Sequence, residues 1–274
     1  MFTFTHAGRW EPALPSKGPT TIESLKVVSY DVWFDAYELT KRRRALLDLL
    51  EEEDADVVVL AEVTKEFLEG LLAHPFVREQ YTVSTLTLDN PVGYDVVMLS
   101  ALAPTRSWRR PLESTYGRRL WAMELETDLG SLVVAGAHLE SGKGPASEAT
   151  RVIQCAKVVE TLAPASHVVF AGDMNFEPGS HEDERLRSHG YVDAWSSVHP
   201  ESEGFTRDTT VNGMAERTGS FQQRRIDHVY VRSPSYAARA IRLLGTEPLA
   251  DSPGVWPSDH FGLCCVLARQ GADQ

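Results

Sequence analysis

The stretch LKVVSYDVWFD, residues 25–35, decides how this chain is built. Leu25, Val27 and Val28 open an apolar run of the kind that forms a buried strand, yet the run ends on Asp31 beside aromatics. An acid at the end of a buried strand must be paired, solvated or used. The same grammar recurs. DADVVVLAEV (54–63) ends near Glu62, GSLVVAGAHLES (130–141) reaches His138, and HVVFAGDMN (167–175) ends on Asp173 and Asn175. IDHVYVR (226–232) begins at Asp227 and His228, and DHFGLCCVLA (259–268) begins with Asp259 and His260. Taken singly, each polar residue is most simply a solvated cap of the next turn. If these strand ends share one edge, however, their carboxylates converge. Converged carboxylates repel unless a cation or protons neutralise them.

The rest of the chain supplies the scaffold. Residues 1–22, with Pro12, Pro15, Gly18 and Pro19, read as an extended arm. Residues 39–53 predict a helix with Leu46, Leu47, Leu49 and Leu50 on a broad apolar face. Its charges oppose the helix dipole, KRRR at the start and EEED at the end. Those basic residues are either a solvated face or the rim of a cleft. Further helices are expected over 147–162 and, shorter, over 64–72 and 182–189. YTVSTLTL (81–88), YDVVMLS (94–100), LWAMELET (120–127) and ARAIRLL (238–244) are expected as further strands, and 196–222 as polar loops. About ten strands with three or four helices predict an α+β fold: two packed, mainly antiparallel sheets between outer helices, a four-layer αββα arrangement. No composition break divides residues 23–269, which are expected to form a single domain.

Composition narrows the function. The 274 residues carry a formal net charge of −12, so charge alone does not make the chain a general nucleic-acid binder. Any anionic ligand has to meet a local basic site or a metal. Cys155, Cys264 and Cys265 form no C-x-x-C pair, which argues against a zinc site and a disulfide framework. Reduced thiols suit a cytoplasmic or nuclear setting, and no signal-peptide pattern is seen. No apolar run is long enough to span a bilayer, so no membrane partner is expected, and the chain is expected to be a monomer. Carboxylates and an amide without thiolates favour a hard ion, Mg²⁺ or Mn²⁺. Imidazoles beside it can donate to phosphate oxygens or move protons. Together these point to metal-assisted hydrolysis of a phosphate ester.

The motifs also carry a resemblance. GAHLES, FAGDMN, RRIDHVYVR and WPSDHFGL stand in the order found in the endonuclease/exonuclease/phosphatase superfamily. LAEV resembles that family's LQEV, and SYDVW its SYNVW. Within the superfamily, GYDVVML, HLES with RVIQ, FTRDT and LLGTEPL…WPSDHFGLCCVL are most similar to the 5′-tyrosyl-DNA phosphodiesterases. The resemblance implies the same αββα fold and release of a tyrosyl adduct from a DNA 5′ end or single-stranded nucleic acid. It implies that Glu62 is the principal metal ligand, with Asp31 and Asp259 beside it. Asp173 would align or deprotonate the attacking water, held by Asn175. His138 and His260 would donate to phosphate oxygens, and Asp227 would orient His260. Tyr94, Arg119 and Ser141 stand at substrate-contact positions.

Departures from the pattern concern substrate choice. Asp31 stands where the family has Asn. Glu177 lies where the tyrosyl-DNA group has a nearby Arg, and Arg207 replaces an aromatic. Arg207, Arg224 and Arg225, with Lys143, are expected to form a local basic patch. A small phosphoester is the alternative substrate. A non-catalytic binding module would have lost at least one of these chemical groups, and none is missing. His228, Glu140, Trp33 and Trp256 are expected to be structural, and His167 and His181 to lie on the surface.

Overall fold

Strands that are apolar on both faces need cover on both faces, and two stacked sheets with outer helices supply it. The computed structural model describes residues 1–218 and 222–271; residues 219–221 of the expected loop segment lie outside the described residues. One sheet runs in the order β15 (Tyr236–Leu244), β16 (Gly262–Arg269), β3 (Ser24–Asp31), β4 (Val57–Thr64), β6 (Tyr94–Ser100), β5 (Thr82–Val83), β1 (Phe2–Phe4), β2 (Trp10–Pro12). The other runs β11 (Val192–Asp193), β14 (Asp227–Arg232), β10 (His167–Asp173), β9 (Gly130–Ala137), β8 (Arg119–Thr127), β7 (Arg106–Pro111). A two-strand ribbon pairs β12 (Arg207–Asp208) with β13 (Gln223–Arg224). Neighbouring strands are antiparallel except β3 with β4 and β9 with β10.

Alternation along each strand makes the layers. Val27, Val57, Val59, Val96 and Met98 meet Met123, Val134, Val169 and Val229 between the sheets. Their neighbours Val28, Val58, Leu60, Val97 and Leu99 face outward. They pack on Leu46, Leu47 and Leu50 of α1 (Leu39–Glu53) and Phe67 and Leu71 of α2 (Lys65–Ala73). On the far side, Val168, Phe170 and Tyr230 pack on Cys155, Val158 and Leu162 of α4 (Pro145–Leu162) and Leu186 of α5 (His181–Arg187). Two short helices, α3 (Pro75–Gln80) and α6 (Ala194–Val198), complete the α-helices among the described residues. Each fully buried Val or Leu contributes about 1.5–3 kcal/mol relative to exposure. The sheets approach closely at Gly136, where a Cβ would stand 2.6 Å from Val59 Cγ1.

The fold is the expected αββα sandwich, and the departures have physical reasons. Of 81–88 only Thr82–Val83 pairs as strand; beyond it the Ser84 hydroxyl takes the Met98 N–H at 2.9 Å and the chain leaves the sheet. The edge strand β7, RSWRRP, was not foreseen, because its side chains are almost all exposed and leave no apolar signal. Within 1–22, β1 and β2 form a hairpin, and Phe2 pairs with Val83 of β5. Arg42, in the middle of KRRR, is neither solvated nor on a rim. It is buried in α1, its ring of donors bonding the carbonyls of Val32, Trp33 and Tyr37 while it stacks over Trp33. It thereby fixes the loop that follows Asp31. Among the described residues, no helix is long and apolar enough to cross a membrane.

Candidate active site

Parallel pairs put chemistry at one edge because both strands end there. Asp31 closes β3 opposite Ala61 of β4, and Glu62 comes next on β4. Glu62 sits where the β4–β6 register shifts between Leu60 and Val63, with φ 58°. Such an irregularity re-aims a side chain that the regular pleat would place elsewhere. From the second sheet come His138, just beyond β9, Asp173 at the end of β10, and Asp227, which pairs with Asp173 across β14. Asp259 and His260 lead into β16. Gly172 has φ 142°, and a Cβ there would lie 1.9 Å from the Ala137 carbonyl. That close approach sets Asp173 beside His138.

Three non-glycine residues at this edge hold left-handed backbones: Trp33 (φ 60°), Glu62 and Asn175 (φ 56°). Each costs about 1–3 kcal/mol, and such strain concentrates at functional sites. Asn175 shows what the strain holds. Its backbone N–H donates to Asp173 Oδ1 at 2.8 Å, and its amide donates to Asp173 Oδ2 at 3.2 Å and to the Leu139 carbonyl at 3.3 Å.

The two imidazoles are held in opposite states. His138 Nδ1 is 3.0 Å from Arg118 Nη1, and a guanidinium only donates, so Nδ1 accepts and the proton sits on Nε2. That Nε2 lies 3.3 Å from Asp173 Oδ2. Burial first, then Arg118 and His260, lower the His138 pKa well below its ordinary value, so the ring is neutral. His260 Nδ1 is 2.8 Å from Asp227 Oδ2. Burial alone would depress His260, but Asp227 and Asp259 outweigh it and raise the pKa well above the ordinary value, keeping the ring cationic.

The acids crowd. Burial, then Asp259, pushes Glu62 up to about 7 against the Phe34 N–H that it accepts at 3.1 Å. Burial and Asp227 push Asp173 up to about 6. Burial and Glu62 raise Asp31 well above the carboxylate range. Asp31 Oδ1 accepts the Trp33 N–H at 2.8 Å, whereas its buried Oδ2, 3.9 Å from His138 Nδ1, has no hydrogen-bond partner among the described residues. Ligand atoms of Asp31, Glu62 and His138 lie within 4.8 Å of one another. Since Arg118 occupies His138 Nδ1, the carboxylates are the better donors, and an oxygen set with an unsatisfied acid fits a hard cation. Asp259, expected in the same set, lies with its Oδ2 3.4 Å from Arg207 Nη2.

The expected substrate contacts divide. Tyr94 is at the site, its ring centroid 6.3 Å from that of His138. Ser141 is partly exposed in the segment before α4. Arg119 points away to Asp95 at 2.8 Å and to Asp89. Its neighbour Arg118 is the one that reaches His138, a residue the sequence reading passed over. Arg119 is the first residue of β8 and Arg118 lies just before it, so only where the strand begins distinguishes the two. The basic patch is not a free one. Arg224 pairs with Glu177 at 2.7 Å, and Arg225 is buried against Asp193 at 2.5 Å and Ser196 at 2.9 Å. Lys143 is exposed. Among the residues set aside, His228 lies away from Asp227, with Nε2 3.0 Å from the Phe176 carbonyl. Glu140 accepts the Thr115 N–H at 3.2 Å and hydroxyls of Ser114 and Thr115. Trp33 is buried beside Met214 and Val255, and Trp256 packs on that cluster. His181 is exposed, but His167 is not a surface residue: it is buried between Ser233 Oγ at 2.7 Å and the Leu129 carbonyl at 3.0 Å.

The sequence and the fold are similar to those of known proteins. A model of the Endonuclease/Exonuclease/phosphatase family matches residues 28–260. Tyrosyl-DNA phosphodiesterase 2 of Mus musculus is 25% identical over 268 residues, covering 92% of this chain and 69% of that protein. An inositol phosphosphingolipids phospholipase C of Schizosaccharomyces pombe is 23% identical over 297 residues, covering 89% and 68%. The crystal structure of D. rerio TDP2 complexed with single strand DNA product superposes with a TM-score of 0.74 at 23% identity, covering 90% of this chain and 99% of that one.

Proposed function

The chain belongs to the endonuclease/exonuclease/phosphatase family and is a phosphoesterase of that fold, and from this premise we propose a Mg²⁺- or Mn²⁺-dependent phosphodiesterase that releases a tyrosyl adduct from a nucleic-acid 5′ end. The single observation that carries the chemistry is the pairing of two imidazoles with two acids at one sheet edge, His138 with Asp173 at 3.3 Å and His260 with Asp227 at 2.8 Å. Support for the substrate comes from the relatives named tyrosyl-DNA phosphodiesterase 2.

Roles follow from protonation states. Asp31 and Glu62 would hold the metal, with Asp259 beside them. When bound, the ion supplies Lewis-acid polarisation of the phosphoryl oxygen. Asp173, its carboxyl pKa pushed up to about 6 and its oxygens clamped by Asn175, takes the proton of the attacking water. Cationic His260 donates to a phosphoryl oxygen as charge builds, with Asp227 holding the ring from behind. His138 offers its Nε2 proton to Asp173 in the free site and to a phosphoryl oxygen in the loaded one.

The test is a 5′-phosphotyrosyl oligonucleotide incubated with Mg²⁺, with free tyrosine as the readout. Release of tyrosine is expected. No release alongside good cleavage of an unrelated phosphoester rejects this substrate and leaves the phosphoesterase standing.

A second reading, a small phosphoester as substrate, is favoured by one feature: the arginines near the site are matched by acids. Arg207 faces Asp259, and Arg224 faces Glu177, in a chain of net charge −12. A panel of small phosphomonoesters and phosphodiesters separates the two readings by relative kcat/KM.

A further inference from the structure

The residue after Trp33 is an exposed aromatic that the fold does not need. Trp33 turns the backbone and enters a small core, whereas Phe34 is 47% exposed and belongs to none of the hydrophobic clusters among the described residues. Exposed single apolar residues are common and mean nothing by themselves. This one is pinned. Its N–H donates to Glu62 Oε2 at 3.1 Å, and the carbonyls just before it are held by the buried Arg42. Its ring is stacked on Tyr94, with centroids 4.9 Å apart and planes at 10°. Tyr94 is tied to the site in turn, the Arg118 guanidinium 5.4 Å from its ring centroid and the His138 ring stacked at 6.3 Å. Phe34 therefore covers one face of Tyr94. A flat group approaching that face from solvent meets Phe34 first.

We propose that Phe34 is a specificity-determining residue: the open part of its ring stacks on an aromatic group, a phenol or a nucleobase, of a phosphoester whose phosphate sits among Glu62, His138 and His260. The inference rests on the phosphoesterase reading above and narrows it to flat aromatic esters over aliphatic ones. Rings stack in this offset, parallel way without regard to sequence, because every base and phenol has a π-face. The contact is made through the side chain, whereas the bond to Glu62 is made through the backbone. A substitution of the ring thus leaves the acid's partner in place.

The experiment is calorimetric binding of phenyl phosphate, thymidine 5′-monophosphate and inorganic phosphate, with Mg²⁺ present, to the parent protein and to Phe34→Ala and Phe34→Trp. The aromatic ligands are expected to bind more tightly than inorganic phosphate. Phe34→Ala should lose about tenfold of that margin, and Phe34→Trp should restore it. Affinity for inorganic phosphate should stay within twofold throughout. Whether the phenyl or the thymidine margin falls tells which ring the site takes. A margin unchanged in Phe34→Ala, or an equal loss for all three ligands, overturns the inference and leaves the phosphoesterase reading intact. A parent that binds neither aromatic ligand more tightly than inorganic phosphate likewise overturns the inference and leaves the phosphoesterase reading intact.

Discussion

Asp227 Oδ2 stands 2.8 Å from His260 Nδ1, and Asp227 is the cross-strand partner of Asp173 in the β10–β14 ladder. Two buried acids face each other, and their chemistry is divided between an imidazole and a water. Asp227 holds His260 cationic against burial. Asp227→Asn keeps the shape and removes that charge. His260 should then titrate at a lower pH by NMR, and kcat should fall about 10²–10⁴-fold, as for loss of one positioned electrostatic group. Activity within a factor of two of the parent would remove Asp227 from the mechanism.

Asp173 is the other half of the ladder pair. Burial and Asp227 raise it to about 6, which suits a base working near neutrality. Asp173→Asn should lower kcat about 10²–10⁴-fold, and His260→Ala by a similar factor. Both variants should keep the parent's circular dichroism, since neither side chain fills a core layer. Turnover that survives Asp173→Asn would mean that another group takes the water's proton.

The raised acids make a statement about pH and metal. Glu62 moves from 4.5 to about 7 and Asp173 from 3.8 to about 6 on folding. A group raised in the folded state stabilises it fully below its unfolded pKa and loses that contribution as pH rises through the folded value. Between pH 4 and 7 these two acids therefore make the metal-free protein progressively less stable. A bound divalent cation reverses the repulsion, so its benefit grows over the same window. Tm should rise with Mg²⁺ by about 5–10 °C at pH 7.5 when the ion is at a hundredfold excess over its Kd. At pH 5 the gain should be at most half of that. Groups that the ion does not touch cancel in the difference between melts with Mg²⁺ and with EDTA. Equal gains at both pH values would place the ion away from Glu62.

How much of this could be read beforehand follows from where each signal lies. Asp31, Glu62, His138, Asp173 and Asp227 each interrupt an apolar run, and a strand covered on both faces cannot hide such a residue, so pattern alone brought them forward. The sandwich itself was legible for the same reason. Arg118 and Arg119 share one dipeptide, and only the point where β8 begins separates the arginine on His138 from the one on Asp95. Arg42 looked like a surface charge because its value lies in reaching carbonyls of a loop whose shape the sequence does not spell. Arg224 and Arg225 read as free cations because their acids, Glu177 and Asp193, are distant in sequence. The edge strand β7 is exposed and carries no periodic signal at all.

Asp31 is where chemistry and stability oppose each other most directly. Its Oδ2 is buried without a hydrogen-bond partner among the described residues, and burial, then Glu62, raises its pKa well above the usual range. A buried uncompensated acid costs folding energy, which an ion bound by it repays. Asp31→Asn removes the charge and keeps the outline. In EDTA at pH 7.5 the variant should melt above the parent, by about 2–4 °C for each kcal/mol relieved. With Mg²⁺ the order should shift, because the parent gains more from the ion. The Mg²⁺ concentration for half-maximal rate should rise about tenfold, the change expected when a site loses about 1.4 kcal/mol of ligand interaction. At saturating Mg²⁺ the variant should keep turnover within a few-fold of the parent. The two readouts, Tm and rate, are titrated on the same protein. If neither midpoint moves, Asp31 lies outside the ion's reach.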